Sequence, residues 1–425
     1  MEKIINPRRE EWAGILARPQ MKNEELVKIC KDVFSEIIKD GDKALVKYTW
    51  FFDKVKIDDF VVSDVEFEEA EDLVDDALKA AIREAYENIA AFHELQKPQP
   101  VEYVNANGFR CWQEARGIEK VGLYVPGGSA PLFSTVLMLA IPARLAGCQE
   151  VVLCTPPSRT GKVPPAILWT ARLCGITRVY KVGGVQAIGA LALGTESISG
   201  VYKIFGPGNQ YVTTAKQLAG NYGVAIDMPA GPSEVMVVAD SSASPAFVAA
   251  DLLSQAEHGP DSQVILVTPE PDFPEKVEKE LQLQLAALPR KEIAVRALYN
   301  SRSIVLNDLD ECMQLANQYA PEHLILCVGD YQTRAAQVMN AGSVFLGNYS
   351  PESAGDYASG TNHTLPTNGH AKAYSGVNMD SFCKKITFQE ITKKGLVCLA
   401  PVIQTMAANE LLEAHKRAVE IRLES

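Results

Sequence analysis

The 425-residue chain contains no Cys-x-x-Cys pair, no Gly-x-Gly-x-x-Gly, no low-complexity tract and no apolar run long enough to span a bilayer. Each absence removes a class of protein. Nine cysteines lie scattered at 30, 111, 148, 154, 174, 312, 327, 383 and 398. An odd, unpaired set reads as free thiols in a reducing compartment, and the cytoplasm is the expected location. A transmembrane helix needs about 20 consecutive apolar residues, so no membrane partner is expected. The opening stretch, MEKIINPRREEWAGIL, mixes charges of both signs and lacks the apolar centre of a secretory signal. Positive charge is also short: 41 Lys and Arg against 53 Asp and Glu leave a formal net charge of −12, which disfavours nucleic acid as a partner. What remains is a globular composition, 47% hydrophobic and 22% charged, on a chain long enough for about three domains.

Residues 1–23 read as a polar, proline-broken arm with one short helix. Helical spacing of Leu26, Ile29, Val33 and Ile37 then runs to a stop at Gly41. Ser63 and Glu66 form a capping box that opens one long helix, with Phe67, Ala70, Leu73, Ala77, Ala81, Ala85, Ile89 and Phe92 on its apolar stripe and His93 at a surface end. From residue 121 short apolar runs alternate with helical segments: at 121–125, 151–154, 179–182 and 201–205, then at 235–239, 263–267, 303–306, 323–328 and 343–346. That alternation predicts an α/β protein with two parallel, Rossmann-like but incomplete sheets and small helical appendages at both ends. The expected units are an arm at 1–23, a first α/β domain from 24–120 together with 236–370, a second from 121–235, and an appendage at 371–425. The appendage ends in one helix, NELLEAHKRAVEIRL, and is expected to reach a partner subunit.

Glycine marks the ends of the first set of runs, in PGGSAP at 126–131, GG at 183–184 and GPGN at 206–209. Open α/β sheets bind ligands at strand carboxyl ends, and glycine lets backbone amides approach a pyrophosphate. Tyr124, Gln186 and Asn209 lie at three such ends, where they either contact a nucleotide or only shape turns. In SPAFVAADLLSQAEHG, 244–259, Ser244 and Pro245 signal a helix start and Gly259 its end. Gln255 and His258 are three apart in the last turn, on one face and beside the negative end of the dipole. The pair is either a hydrogen-bonded cap or half of a cation site.

Pro321-Glu322-His323 sets an acid beside an imidazole, residue types that can divide proton removal from water activation but that also occur singly as surface polar groups. The stretch YSPESAGDYASGTNHTLPT, 349–367, is an irregular loop almost free of core residues, and such loops exist for function. Within it Asp356 is a hard oxygen ligand and His363 a donor to substrate. Glu410 and His415 are five apart on the last helix and so address different parts of any shared ligand. One amide oxygen, one carboxylate and two imidazoles, from Gln255, Asp356, His258 and His415, suit zinc in an open catalytic site.

Seven segments, in order, carry a resemblance to the histidinol dehydrogenase family: VGLYVPGGSAPLFSTVLM at 121–138, FGPGNQYV at 205–212, IDMPAGPSEVMVVAD at 226–240, DLLSQAEHGPDSQ at 251–263, PEHL at 321–324, GDYASGTNHTLPT at 355–367 and ELLEAH at 410–415. The resemblance spans nearly the whole chain. It implies oxidation of L-histidinol to L-histidine through histidinal with two NAD, the last step of histidine biosynthesis. It also implies one Zn2+ per subunit on Gln255, His258, Asp356 and His415, with the same four residues, Ser233, His323, His363 and Glu410 around the substrate. By the same resemblance Tyr124, Gln186 and Asn209 bind NAD, His323 is the general base and Glu322 activates water. On this view 121–235 is the NAD domain, 24–120 with 236–370 holds substrate and metal, and a homodimer shares its active sites through His415. Leu411 departs from the family's Glu-Gly-Leu-x-Ala-His, which puts local packing in question. Other readings use some of the same residues: a zinc hydrolase working through Glu322, an aldehyde-dehydrogenase-like enzyme with Cys111 or Cys148 as nucleophile, and a non-catalytic metal-dependent binder.

Overall fold

The computed structural model describes residues 1–19, 23–127 and 130–424; Gly128 and Ser129 of the 126–131 turn and residues 20–22 of the arm lie outside the described residues. Two parallel sheets carry the architecture. One has five strands, Lys120–Tyr124, Glu150–Thr155, Arg178–Lys181, Lys203–Phe205 and Ala225–Ile226, laid side by side as third, second, first, fourth, fifth. The other repeats that order with Glu234–Ala239, Gln263–Thr268, Arg302–Val305, His323–Cys327 and Ser343–Leu346, and adds Glu2–Ile5 on its edge. Each sheet thus has one switch point, between its first and fourth strands, and in the five-stranded sheet a crevice opens there at the carboxyl ends. Every residue of Glu234–Ala239 and Gln263–Thr268 is buried, because helices cover both faces; this is why such strands read as unbroken apolar runs.

The packing corrects the expected grouping of 24–120 with 236–370. Helices Asn23–Asp40 and Asp42–Tyr48 bury Cys30, Val33, Phe34, Ile37 and Leu45 in one core with Val152, Ile188 and Ala215 of the five-stranded unit. Helices Asp64–Leu73 and Asp76–Glu94 bury Phe67, Ala70, Ile82 and Ile89 with Val121, Leu139 and Ile167. The reason lies in helix Phe133–Leu145, whose residues 134–143 are all buried. A helix apolar on every side needs a second layer outside it. The arm is corrected as well: Glu2–Ile5 pairs with Arg302–Val305, and Trp12 and Leu16 enter the core of the six-stranded unit.

The long helix expected from Ser63 is two helices. Val74 is extended, and Asp75 caps the second by accepting from Leu78 N at 2.9 Å. His93, expected at the surface, is buried with Nδ1 2.8 Å from Ile89 O. Beyond residue 370, strand Cys383–Ile391 pairs antiparallel with Phe109–Gly117, and Val101–Asn105 completes a third sheet. The expected single terminal helix is interrupted: Lys393–Asn409 and Glu413–Glu424 are joined through Leu411 at φ +59°. No helix among the described residues is long and apolar enough to cross a membrane.

Candidate active site

A parallel crossover must return the chain to the edge it started from, so the last turn of helix Pro245–Ala256 arrives at the amino ends of the six strands. Pro245 opens this helix, whereas Ser244 makes no capping hydrogen bond. His258 lies two residues past the helix, so the shared helical face expected for Gln255 and His258 is not the geometry that joins them. The turn does so, with His258 N donating to Gln255 O at 3.2 Å.

A cavity of about 440 Å³ sits at this edge, lined by Ser233, Gln255, His258, Glu322, His323, Asp356 and His363, and by Tyr124 and Asn209 from the other sheet. Glu322 and His323 are both buried, Glu322 just before strand His323–Cys327 and His323 as its first residue. Glu322 Oε2 accepts from Glu234 N at 2.9 Å. His323 Nδ1 lies 3.2 Å from both Glu234 O and Gln255 Nε2, an acceptor and a donor, so the ring finds a partner with or without a proton there. Its Nε2 is 3.4 Å from Asp356 Oδ1, and Nδ1 is 3.6 Å from Glu322 Oε2.

Burial pushes Glu322 up to about 8. Burial would lower His323, but the Glu322 and Asp356 carboxylates outweigh it and raise the imidazole to about 10. Asp356 is held below the usual carboxylate range, against its own burial, by the hydrogen bond and charge of His323. His258 opens onto the cavity but is walled by protein elsewhere, and that desolvation lowers it. Burial lowers His363 too, fixed with Nδ1 2.8 Å from Asp356 O and Nε2 3.1 Å from Thr135 Oγ1. Both rings are therefore neutral at pH 7, the form that can ligate a metal or accept a proton.

Gln255 Oε1 is buried without a hydrogen-bond partner. Buried polar atoms of this kind are rare and ask for an explanation. An orphan amide oxygen beside a neutral imidazole and a carboxylate is a donor set for a cation. Glu410 and His415 do not join it: both are exposed on the C-terminal segment and away from the cavity lining. Among the described residues no three His, Cys, Asp or Glu side chains of one chain are grouped to hold a metal.

A second cavity, of about 860 Å³, lies at the carboxyl ends of the five-stranded sheet and is lined by Tyr124, Gln186 and Asn209 with Phe51, Phe52 and Asp53. Tyr124, Pro126, Gly127 and Asn209 border both cavities, so the two adjoin. Tyr124 Oη accepts from Gly184 N at 3.0 Å, and Asn209 Oδ1 caps helix Gln210–Ala219 by accepting from Val212 N at 3.1 Å. Gln186 is wholly buried; its Nε2 donates to Asp53 Oδ2 at 3.2 Å and its Oε1 has no partner. Turn-shaping and cavity-lining thus coexist in these residues. Burial lifts Asp53 to about 6.

Asp53 and Glu352 escaped the sequence reading. Glu352 is buried behind Gln255, raised to about 8 by that burial, and its Oε1 accepts from Ser254 Oγ at 2.7 Å. Its only signal is a position four before Asp356. Cys111 and Cys148 line neither cavity, and burial lifts the Cys148 thiol to about 12, so neither serves as a nucleophile here.

Two parallel sheets bordering adjoining cavities, with a buried acid and imidazole at the junction, mark an α/β enzyme with room for a nucleotide beside a proton-transfer pair. The family model described as histidinol dehydrogenase matches residues 16–423. The histidinol dehydrogenases of Bacteroides thetaiotaomicron and Bacteroides fragilis are each 57% identical to the chain, over 100% of its length and 99% of theirs. The crystal structure of histidinol dehydrogenase from Elizabethkingia anophelis matches with a TM-score of 0.96 and 56% identity, over 100% of this chain and 98% of that one. The chain belongs to the histidinol dehydrogenase family.

Proposed function

We propose that the chain oxidises L-histidinol to L-histidine through histidinal at the junction of the two cavities, and that Glu322 and His323 carry the proton chemistry. Family membership supports the reaction. The observation that carries the site is the buried Glu322 and His323 pair facing the 440 Å³ cavity where it adjoins the 860 Å³ one. NAD, held by Tyr124, Gln186 and Asn209, would accept the hydride in each of two oxidations. His323 removes the hydroxyl proton as the carbinol carbon loses its hydride. The Glu322 and Asp356 carboxylates together favour the protonated imidazole of His323; a cation held by Asp356 would offset the second of these charges. Glu322, raised by burial, takes a proton from water as it adds to the aldehyde while His323 returns its proton to the carbonyl oxygen, which frees His323 to take one from the resulting diol. Ser233 and His363 orient the substrate, joined by Glu410 of a second copy of the chain, since Glu410 is exposed and away from its own cavity.

Gln255, His258 and Asp356 fit a zinc ion, chiefly because Gln255 Oε1 is buried and unpaired beside them. Zinc, when bound, would anchor the substrate's imidazole and amine and so prevent escape of the aldehyde between steps. The fourth ligand is His415 of a second copy of the chain, since His415 is exposed and remote from its own cavity. This makes a homodimer with shared active sites. The C-terminal segment exposes Val397, Val402, Met406, Leu412 and Ile421, an apolar face of the kind that a second copy covers. The cytoplasm is the compartment that fits the free cysteines.

The test is to strip metal with a chelator, follow histidinol-dependent NADH formation, and then restore zinc. Loss and recovery of activity are expected. Activity indifferent to the metal sinks the zinc assignment, and no NADH from the zinc-loaded protein sinks the reaction and leaves the zinc hydrolase and the non-catalytic binder.

A further inference from the structure

We infer that Arg18 is a positioning residue for the acid–base pair, acting through Glu234; the inference rests on the roles given above to Glu322 and His323. Glu234 opens the central strand of the six-stranded sheet and meets both groups with its backbone. Its N–H donates to Glu322 Oε2 at 2.9 Å, and its carbonyl lies 3.2 Å from His323 Nδ1. Its side chain is gripped from the N-terminal segment. Arg18 Nε donates to Oε1 at 2.5 Å, Arg18 Nη2 to Oε2 at 2.9 Å, and Asn368 N to Oε1 at 2.7 Å.

The guanidinium is itself fixed. It stacks 3.8 Å from the centre of the Tyr319 ring and donates through Nη2 to Tyr319 O at 2.8 Å, while the Tyr319 hydroxyl donates to Gln263 Oε1 at 2.8 Å. Arg18 therefore ties together the two chain segments that enter the switch point, one leading into Glu234 and the other, through Tyr319, into Glu322 and His323. The pair is nearly dry, with side-chain exposures of 14% for Arg18 and 3% for Glu234. A bidentate, in-plane grip on a carboxylate resists rotation in a way that a single point charge does not. Without the grip the start of the strand could shift, and with it the N–H that meets Glu322 and the carbonyl that meets His323. A clamp needed only for stability could close anywhere along the sheet. This one closes on the residue whose two main-chain groups both touch the reacting pair.

A small cavity of about 170 Å³, lined by Arg18, Glu234, Gln263, Asn368 and His370 among others, borders the grip and admits a chemical rescue. Arg18→Lys keeps the charge and loses the fork; Arg18→Ala loses both. Zinc-loaded variants are assayed for histidinol-dependent NADH formation beside Glu322→Gln and His323→Asn. We expect kcat to fall by about tenfold or more in Arg18→Lys and further in Arg18→Ala, as misplacement of catalytic groups does. KM for histidinol and NAD, and bound zinc, should stay within about twofold, the pattern of a group that matters only as the reaction proceeds. Millimolar guanidinium should restore kcat to Arg18→Ala where equal sodium chloride does not. The inference is overturned if both Arg18 variants keep the parent kcat, if their activity falls only in step with the folded fraction, or if both salts act alike. Should Arg18→Ala fail to fold, the kcat and KM of Arg18→Lys decide. Activity retained by Glu322→Gln and His323→Asn would instead overturn the roles of the pair, and this inference with them.

Discussion

The two large sheets share one strand order but are used from opposite ends. The five-stranded sheet offers the carboxyl ends of its strands, so the helices that follow, Gly184–Leu193 and Gln210–Ala219, aim their N-termini at the 860 Å³ cavity. The six-stranded sheet offers its amino ends, where helices Pro245–Ala256 and Glu352–Tyr357 finish and bring Gln255 and Asp356 in their last turns. Helix N-termini carry partial positive charge and C-termini partial negative charge. One topology thus yields a border suited to an anionic pyrophosphate and another suited to a cation, and the sign depends only on which edge faces inward.

The sharpest way to break this division is to remove a group from one side and look for damage on the other. His323→Asn should lower kcat by about 10²- to 10⁴-fold, the range of general acid–base catalysis, while NAD binding measured by fluorescence titration stays as in the parent. An equal loss of NAD affinity would mean that the two borders do not act separately. Sharing of the six-stranded edge between copies is tested by mixing inactive His323→Asn and His415→Asn chains. Random reassociation should regain about a quarter of parental activity, because about half of the dimers are mixed and each holds one intact site; no recovery would place His415 outside the site.

On the cofactor side, Gln186→Ala should raise the KM for NAD about tenfold, the effect of a lost buried hydrogen bond of about 1–2 kcal/mol, with zinc content unchanged. Asp53 gives the same border a pH signature. Its carboxyl is raised to about 6 from 3.8 by burial, so the folded state holds a proton that the unfolded chain releases. Its stabilising share is therefore complete below about pH 4 and lost as pH rises through about 6. Asp53→Asn should melt higher than the parent at pH 8, by about 1 kcal/mol after solvent screening, and alike at pH 4. The smallest effect expected lies outside both sheets. Leu411 occupies left-handed backbone at φ +59° and is 89% exposed, so Leu411→Gly should add about 0.5–1 kcal/mol to stability in denaturant titration.

Strands were legible where both faces are buried, since nothing interrupts runs such as 235–239 and 263–267. Strands Val101–Asn105 and Cys383–Ile391 were not, because they are largely exposed and their apolar alternation, as at Val101 and Tyr103 or Ile386 and Phe388, is too short to stand out. The helices between 24 and 94 declared an apolar stripe but not the sheet it would meet, which is how they came to be expected with the wrong domain. Of the site, Glu322, His323, Gln255, His258 and Asp356 were visible as chemistry-bearing residues in loops and helix ends, and they do line one cavity. Glu352 and Asp53 were invisible because an acid in a polar stretch looks solvated until its burial is known.

By itself the sequence determined the α/β class, the positions of most of the parallel strands, the family and residue types suited to the chemistry, because these rest on local spacing and residue type. Only the tertiary structure decided which sheet edge each group faces, that Gln255 Oε1 has no partner, that His415 stands away from its own cavity, and that Arg18 reaches Glu234 across 216 residues of chain. Those facts depend on where crossover helices end and which buried polar atoms meet, and no local pattern encodes either.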